Sequence, residues 1–230
     1  MSETYTADEM MTIAAARMVR NGAALFVGIG LPSTAANLAR GMHAPDVVLV
    51  YESGTIGSRP TRLPLSIGDG DLAETADAVV SVPEIFNYWL QGGRIDVGFL
   101  GAAQIDRHGN LNSTVIGPYE APKVRLPGAG GAPEIAAQAR RVITIIRQSP
   151  RTFVEELDFK SSIGARDQVV ITDLGVLRRD GELVLEALHP GVTLEQAQEA
   201  TGWELRVAGD LRTTEPPSEQ ELARLRKLHA

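Results

Sequence analysis

Two short, uninterrupted apolar runs constrain this chain more than anything else in it. Ala23 to Val27 and Val47 to Tyr51 show no alternation of apolar and polar residues. Each therefore reads as a strand covered on both faces. Between them lies a helical stretch, Thr34 to Met42, whose first turn Pro32 favours. A strand, a crossover helix and a second strand make a parallel pair. The expected fold is α/β, a single domain over residues 1–230 with a mostly parallel central sheet flanked by helices.

The remaining pattern extends that frame. Thr6 and Glu9 have capping-box spacing, and Met10, Ile13, Ala14 and Met18 form one stripe before Asn21-Gly22. Strands are expected over Ala78–Val82, Val97–Ala102 and Val142–Ile146, and helices over Glu84–Gln91 and Ile135–Arg140. Val169–Leu177 and Leu183–Leu188 flank Arg178-Arg-Asp180-Gly181, a hairpin signal. Thr193 with Gln196 and Ser218 with Glu221 start two final helices. Ser53–Gly70 and Gln104–Gly131 are rich in Gly, Pro or polar residues and read as loops. Loops of that length are usually functional.

Composition removes several classes of function. There is no cysteine, which excludes a disulfide scaffold, a thiolate metal site and a cysteine nucleophile. Lys plus Arg total 22 against 29 Asp plus Glu, for a net charge of −7, and only three of the cations are Lys. That balance argues against nucleic acid as a partner. No apolar run approaches the ~18 residues of a membrane span. Met1 to Met11 carries acids where a signal peptide has basic residues, so a cytoplasmic location is expected.

The chemistry must come from few groups. Among the histidines, His229 falls at the end of the chain, His189 in a His-Pro-Gly turn, and His108 in a polar loop. A histidine-centred mechanism is poorly supplied, and no metal site is expected. Glu52 is placed differently, directly after the Val47–Tyr51 strand and before Ser53-Gly54. Ligands of parallel α/β sheets bind beyond the carboxyl ends of strands. From position alone, Glu52 is equally a ligand-facing carboxylate or a strand-end group paired with Arg59 or Arg62. Gly28-Ile-Gly30-Leu-Pro32-Ser33 ends the neighbouring strand and can turn its N–H groups to the same edge. Pro127-Gly128-Ala-Gly130-Gly131 permits close backbone approach and suits an oxyanion, though taken alone it is as well a flexible turn. Gln104 and Asn110 add neutral hydrogen-bonding groups, with Asx-turn chemistry the competing reading for Asn110.

In this order and spacing, the motifs Val-Gly28-Ile-Gly30-Leu-Pro, Tyr-Glu52-Ser-Gly, Gly101-Ala-Ala-Gln-Ile-Asp with Gly-Asn110-Leu-Asn-Ser, and Gly128-Ala-Gly130-Gly131 resemble the β subunit of family I CoA transferases, glutaconate CoA-transferase in particular. The likeness continues through Val169-Val-Ile-Thr-Asp173 and Leu188-His-Pro-Gly-Val-Thr193 to Thr201-Gly202-Trp203. It implies the fold shared by the CoA-transferase and NagB/RpiA groups. It also implies ping-pong transfer of CoA between an acyl-CoA and a small carboxylic acid, with Glu52 as nucleophile and a glutamyl-CoA thioester as intermediate. CoA would be a substrate, with no permanently bound cofactor. By the same likeness, Gly128, Gly130 and Gly131 supply oxyanion donors. Gly28, Gly30, Ser53, Gly54, Gln104 and Asn110 line the acyl or CoA site. The family places its active sites where α and β subunits meet, so an α subunit is expected, in an α2β2 heterotetramer, with exposed apolar surface where it docks.

Other readings remain open on the sequence. Relatives of this fold act as thioester hydrolases or decarboxylases, several without the glutamate that this chain retains. Gly28-x-Gly30-x-x-Ser33, with Glu52 closing the next strand, is also a partial dinucleotide-binding fingerprint. Pro32 and Ser33 depart from it. A non-enzymatic subunit that keeps the fold is a further alternative. Arg59 and Arg62 are candidates for pairing the free carboxylate of a dicarboxylic acid, or for structural salt bridges.

Overall fold

The computed structural model describes residues 5–229. They pack as two compact units. The first runs up to Phe99 and takes in Gln138–Arg140 and the stretch from Pro216. The second holds Leu100–Ala137 and Arg141–Glu215.

The first unit opens with α1 (Ala7–Arg17), started by the expected capping box between Thr6 and Glu9. It leads to β1 (Ala24–Phe26), α2 (Leu31–Arg40) and β2 (Val48–Val50). β1 and β2 are parallel, with Ala24 opposite Val48 and Phe26 opposite Val50. Every residue of β1 is buried, as a run covered on both faces must be. α2 begins three residues before the expected Thr34, because Gly30 takes φ +80° as its N-cap and places Leu31 and Pro32 in the first turn.

The segment expected to be one long loop holds two elements. β3 (Thr55–Ile56) folds straight back against β2, and α3 (Gly70–Glu74) is capped by Asp69. β4 (Ala78–Val79) adds to β3 and stops short of the expected Val82. Ser81 and Glu84 close a capping box there, with Pro83 in the first turn, so Val82 begins α4 (Val82–Glu84) instead of ending a strand. The helix continues as a π-helix, Ile85–Leu90. β5 (Val97–Leu100) pairs with β1 in parallel, giving the order β5-β1-β2-β3-β4.

The C-terminal helix, Glu219–Leu228, returns to this unit behind the Ser218–Glu221 capping box. Arg17 donates to both carboxylate oxygens of Glu221 at 2.7 Å. Burial opposes ionisation of Glu221, yet the Arg17 and Ser218 hydrogen bonds outweigh it and hold the carboxyl at about 2.

In the second unit the expected loop from Gln104 is two small ribbons. β6 (Gln104–Ile105) pairs with β7 (Leu111–Asn112), and β8 (Val115–Ile116) with β9 (Val124–Arg125). After α5 (Ala132–Gln138), β10 (Arg141–Ile145) lies parallel to β11 (Gln168–Ile171). The run Val169–Leu177 is not one strand. Thr172 hydrogen-bonds Gly175 and turns the chain, so β12 (Gly175–Asp180) comes back antiparallel. β13 (Glu182–Leu188) follows across the expected Gly181 turn, where φ is +71°. Past α6 (Leu194–Glu199), β14 (Arg206–Thr213) runs parallel to β13. Its Arg, Asp and Gly residues concealed it in the sequence; they suit an exposed edge strand.

His189 has a structural place, as its turn position suggested. It is buried at 3% exposure, with Nε2 2.9 Å from the Thr172 carbonyl and Nδ1 2.8 Å from the Thr214 hydroxyl. The carbonyl can only accept, so Nε2 carries the proton and Nδ1 accepts from Thr214. Burial lowers its pKa from 6.5, against the opposing effects of Thr172 and Asp173. The unfolded chain then takes up this proton before the folded one does. Stability is expected to fall as pH drops below 6.5, and urea unfolding of His189→Gln should show a flatter slope in that interval.

Candidate active site at the carboxyl ends of the first two strands

Glu52 and Ser53 are the central residues of the tight turn between β2 and β3. Tyr51 closes it from both sides. Its N–H donates to the Thr55 carbonyl, and its carbonyl accepts from Gly54 N–H, each at 3.0 Å. On the adjacent strand, Val27 N–H donates to the Val50 carbonyl at 2.9 Å. With Phe26 opposite Val50, Gly28 and Glu52 stand at equivalent positions beyond neighbouring parallel strands, which lie ~4.8 Å apart. Both are half-buried.

The Glu52 carboxylate makes no hydrogen bond or ion pair among the described residues. Its structural alternatives are removed by the two arginines themselves. Arg59 grips Asp77 at 2.7 and 3.0 Å, and Arg62 pairs with Asp69 at 3.1 Å. These are the structural salt bridges that competed with a dicarboxylate role for the same residues.

Beneath the turn the side chains are fixed. Tyr51 is fully buried, its hydroxyl 3.5 Å from Ser33 Oγ in the first turns of α2, and burial pushes its phenol pKa up. Asn37 donates to the Ser33 carbonyl at 2.9 Å. Arg40 donates to the carbonyls of Ser58 and Pro60, which holds the chain after β3. In the same turn and strand, the Ser53 and Thr55 hydroxyls are buried with no hydrogen-bond partner among the described residues. Orphaned buried hydroxyls are rare away from functional sites. No signal in the sequence singled out Tyr51, Ser33 or Asn37 for this support.

The glycines divide into two kinds. Gly54 has φ +113°, and a Cβ there would lie 2.1 Å from the Val80 carbonyl oxygen, so the turn itself demands glycine. Around Gly28 and Gly30 a Cβ would meet nothing within 4 Å. Their bareness leaves open space beside the Glu52 turn.

The remaining candidates lie in the second unit. Gly128 has φ +108° and its N–H donates to the Ser113 carbonyl at 2.9 Å, while Gly130 and Gly131 make no N–H hydrogen bond among the described residues. Gln104 is only 6% exposed and fully engaged: Nε2 donates to Asp158 at 2.8 Å, and Oε1 accepts from Asn112 at 2.7 Å. Asn110 donates to Asp106 at 2.8 Å and accepts from Gly164 N–H at 2.9 Å, the Asx-type arrangement its sequence context allowed. In this structure both side chains hold ribbons together. Asp158 and Gly164 each lie 54 positions from the side chain they engage, too far in sequence to be foreseen, whereas Asn112 is only eight from Gln104.

The comparisons with known proteins fall on this geometry. Residues 8–200 match the family model described as Coenzyme A transferase. The chain belongs to that family. It is 59% identical to a subunit of the 3-oxoadipate CoA-transferase of Pseudomonas knackmussii, over 98% of this chain and 94% of that one. The crystal structure of glutaconate coenzyme A-transferase from Acidaminococcus fermentans superposes with a TM-score of 0.90 at 30% identity, covering 97% of this chain and 94% of that chain. The decarboxylase AibA/AibB superposes at 0.88 with 29% identity, covering 96% and 93%. The α/β architecture expected from the sequence is therefore that of the CoA transferases. Among the described residues, no helix is long and apolar enough to cross a membrane.

Two substitutions separate the two kinds of glycine. Gly54→Ala should cost about 1–3 kcal/mol through the strained φ and the Val80 contact. Gly28→Ala should leave the urea midpoint unchanged.

Proposed function

We propose that this chain is the β subunit of a heteromeric acyl-CoA:carboxylate CoA-transferase that works by covalent catalysis on Glu52. The observation that carries the reading is the Glu52 carboxylate, held at a strand tip, half-buried, and without a partner among the described residues. A carboxylate is ionised at neutral pH and attacks without a general base, so the scarcity of histidine is no obstacle.

In the first half-reaction a Glu52 oxygen adds to the thioester carbonyl, and the C–S bond breaks. CoA thiolate leaves and a mixed acyl–glutamyl anhydride remains. The thiolate then attacks the glutamyl carbonyl and expels the donor acid as its carboxylate, which leaves a glutamyl-CoA thioester. The acceptor carboxylate attacks that thioester and releases thiolate. Thiolate returns to the acceptor's acyl carbon and frees Glu52. No net proton, oxidant or metal is required.

Each step passes through a tetrahedral oxyanion. By the family resemblance its donors come from the loop holding Gly128, Gly130 and Gly131; one such donor is typically worth ~10²–10³ in rate. Gly28 and Gly30 leave room for the acyl and pantetheine portion, and the unpartnered Ser53 hydroxyl is a donor for the bound acyl oxygen. A covered site keeps water from the anhydride, and this makes the enzyme a transferase where an open one would hydrolyse.

The cover is the α subunit. The relative from Pseudomonas knackmussii is itself named as one subunit of its enzyme, and this chain bears an apolar stretch beside the Glu52 ribbon. Val79 on the edge strand β4, Val82 and Tyr88 are 61%, 46% and 62% exposed. Such surface marks an interaction site.

In the complex with its partner subunit, Glu52→Gln should lower kcat for CoA exchange by about 10³-fold or more while the complex stays assembled. Wild-type turnover in that variant would contradict the reading. Val79→Asp should leave this chain folded, by circular dichroism, and abolish its co-purification with the α subunit.

A further inference from the structure

The carboxyl end of α2 meets the C-terminal helix around a cavity of about 340 Å³, lined by Gly41, Met42, Gln220, Ala223, Arg224 and Lys227. That volume suits a small ligand, the usual range being ~300–1,000 Å³. α2 is ten residues long, so the cavity is about 15 Å of helix from the Gly30 end. It is separate from the Glu52 turn.

Every ionisable group in this lining is a cation, and neither has a counter-charge among the described residues. Arg224 and Lys227 make no ion pair among the described residues, and Arg224 Nε is buried without a hydrogen-bond partner. Elsewhere in the same unit Arg17, Arg59, Arg62, Arg140 and Arg226 each hold a carboxylate. The nearest acid on the helix, Glu221, is engaged by Arg17. Arg40 adds a third cation: its pKa is lowered chiefly by burial and further by Arg59 and Arg224, and its own hydrogen bonds go to neutral carbonyls. The partial negative charge at the end of α2 faces this corner, but Arg224 Nε makes no bond to it.

Gly41 belongs to the construction. A Cβ at that position would lie 2.6 Å from both Nε and Nη2 of Arg224. The bare backbone lets the guanidinium lie flat against the end of α2. Gln220, Arg224 and Lys227 are spaced by four and three residues, so all three donors share one face of the C-terminal helix.

We propose that this cavity is an anion-binding site, in which Arg224 and Lys227, assisted by Gln220, receive a small phosphate or carboxylate. The bound anion supplies the missing counter-charge and relieves the repulsion between Arg224 and Arg40. Occupancy therefore stabilises this unit.

The test uses the chain in complex with its partner subunit, with inorganic phosphate as the probe and chloride at equal ionic strength as the reference. Phosphate should raise the thermal midpoint saturably. By calorimetry, Arg224→Gln/Lys227→Gln should bind it at least about tenfold more weakly. Ala223→Glu, at an exposed position on the cavity wall, should weaken binding in the same way and keeps the test valid if the double variant misfolds. Succinate in place of phosphate tells which oxyanion is preferred. Equal affinity in the wild type and the variants, or no saturable binding of either anion, overturns the proposal.

Discussion

The pairing of β1 with β2, closed by the backbone of Tyr51, is the constraint on which the rest depends. Parallel register sets Gly28 and Glu52 side by side, and two hydrogen bonds at 3.0 Å fix the turn in which Glu52 sits. The buried Tyr51 ring ties that turn to the first turns of α2 through Ser33. Arg40, at the other end of α2, holds the carbonyls of Ser58 and Pro60 after the turn. A short hairpin is thus held at several points, so its central residue projects in a defined direction while its carboxylate stays uncommitted. Pre-organisation of this kind suits the proposed role of Glu52 as nucleophile, because little is left to order at the moment of attack.

The electrostatics around the turn follow the same division of labour. Cations near Glu52 in sequence are neutralised by other acids: Arg59 by Asp77, and Arg62 by Asp69. A carboxylate bound in a tight salt bridge is a poor nucleophile, since breaking the bridge adds to the barrier. Solvent-exposed pairs of the Arg59–Asp77 kind contribute little to stability. Neither arginine is paired with Glu52.

Much of this was legible in the sequence because it rests on local signals. The apolar runs marked β1 and β2, capping boxes at Thr6, Thr193 and Ser218 marked helix starts, and the strand-end place of Glu52 was legible while position alone left its ligand-facing and salt-bridged readings equal. Where expectation failed, a local signal was overridden or overlooked. Ser81-Val-Pro-Glu84 is a helix start that the β-prone Ala78–Val82 run obscured. Thr172–Gly175 is a turn hidden inside an apolar run. β14 exists only through its pairing with β13, a long-range contact that its polar residues do not announce. Gln104 and Asn110 show the same limit in their local structure: their hydrogen bonds to Asp158 and Gly164, 54 positions away, are not announced by residue type.

The most direct measurement is a trap of the covalent intermediate. The complex with the partner subunit is incubated with acyl-CoA and no acceptor acid, reduced with borohydride, digested and mapped by mass. Covalent catalysis on Glu52 predicts a glutamate side chain reduced to its alcohol at that position, and only when acyl-CoA is present. Modification at another residue, or an unmodified Glu52 peptide from an enzyme that still exchanges CoA, would contradict it.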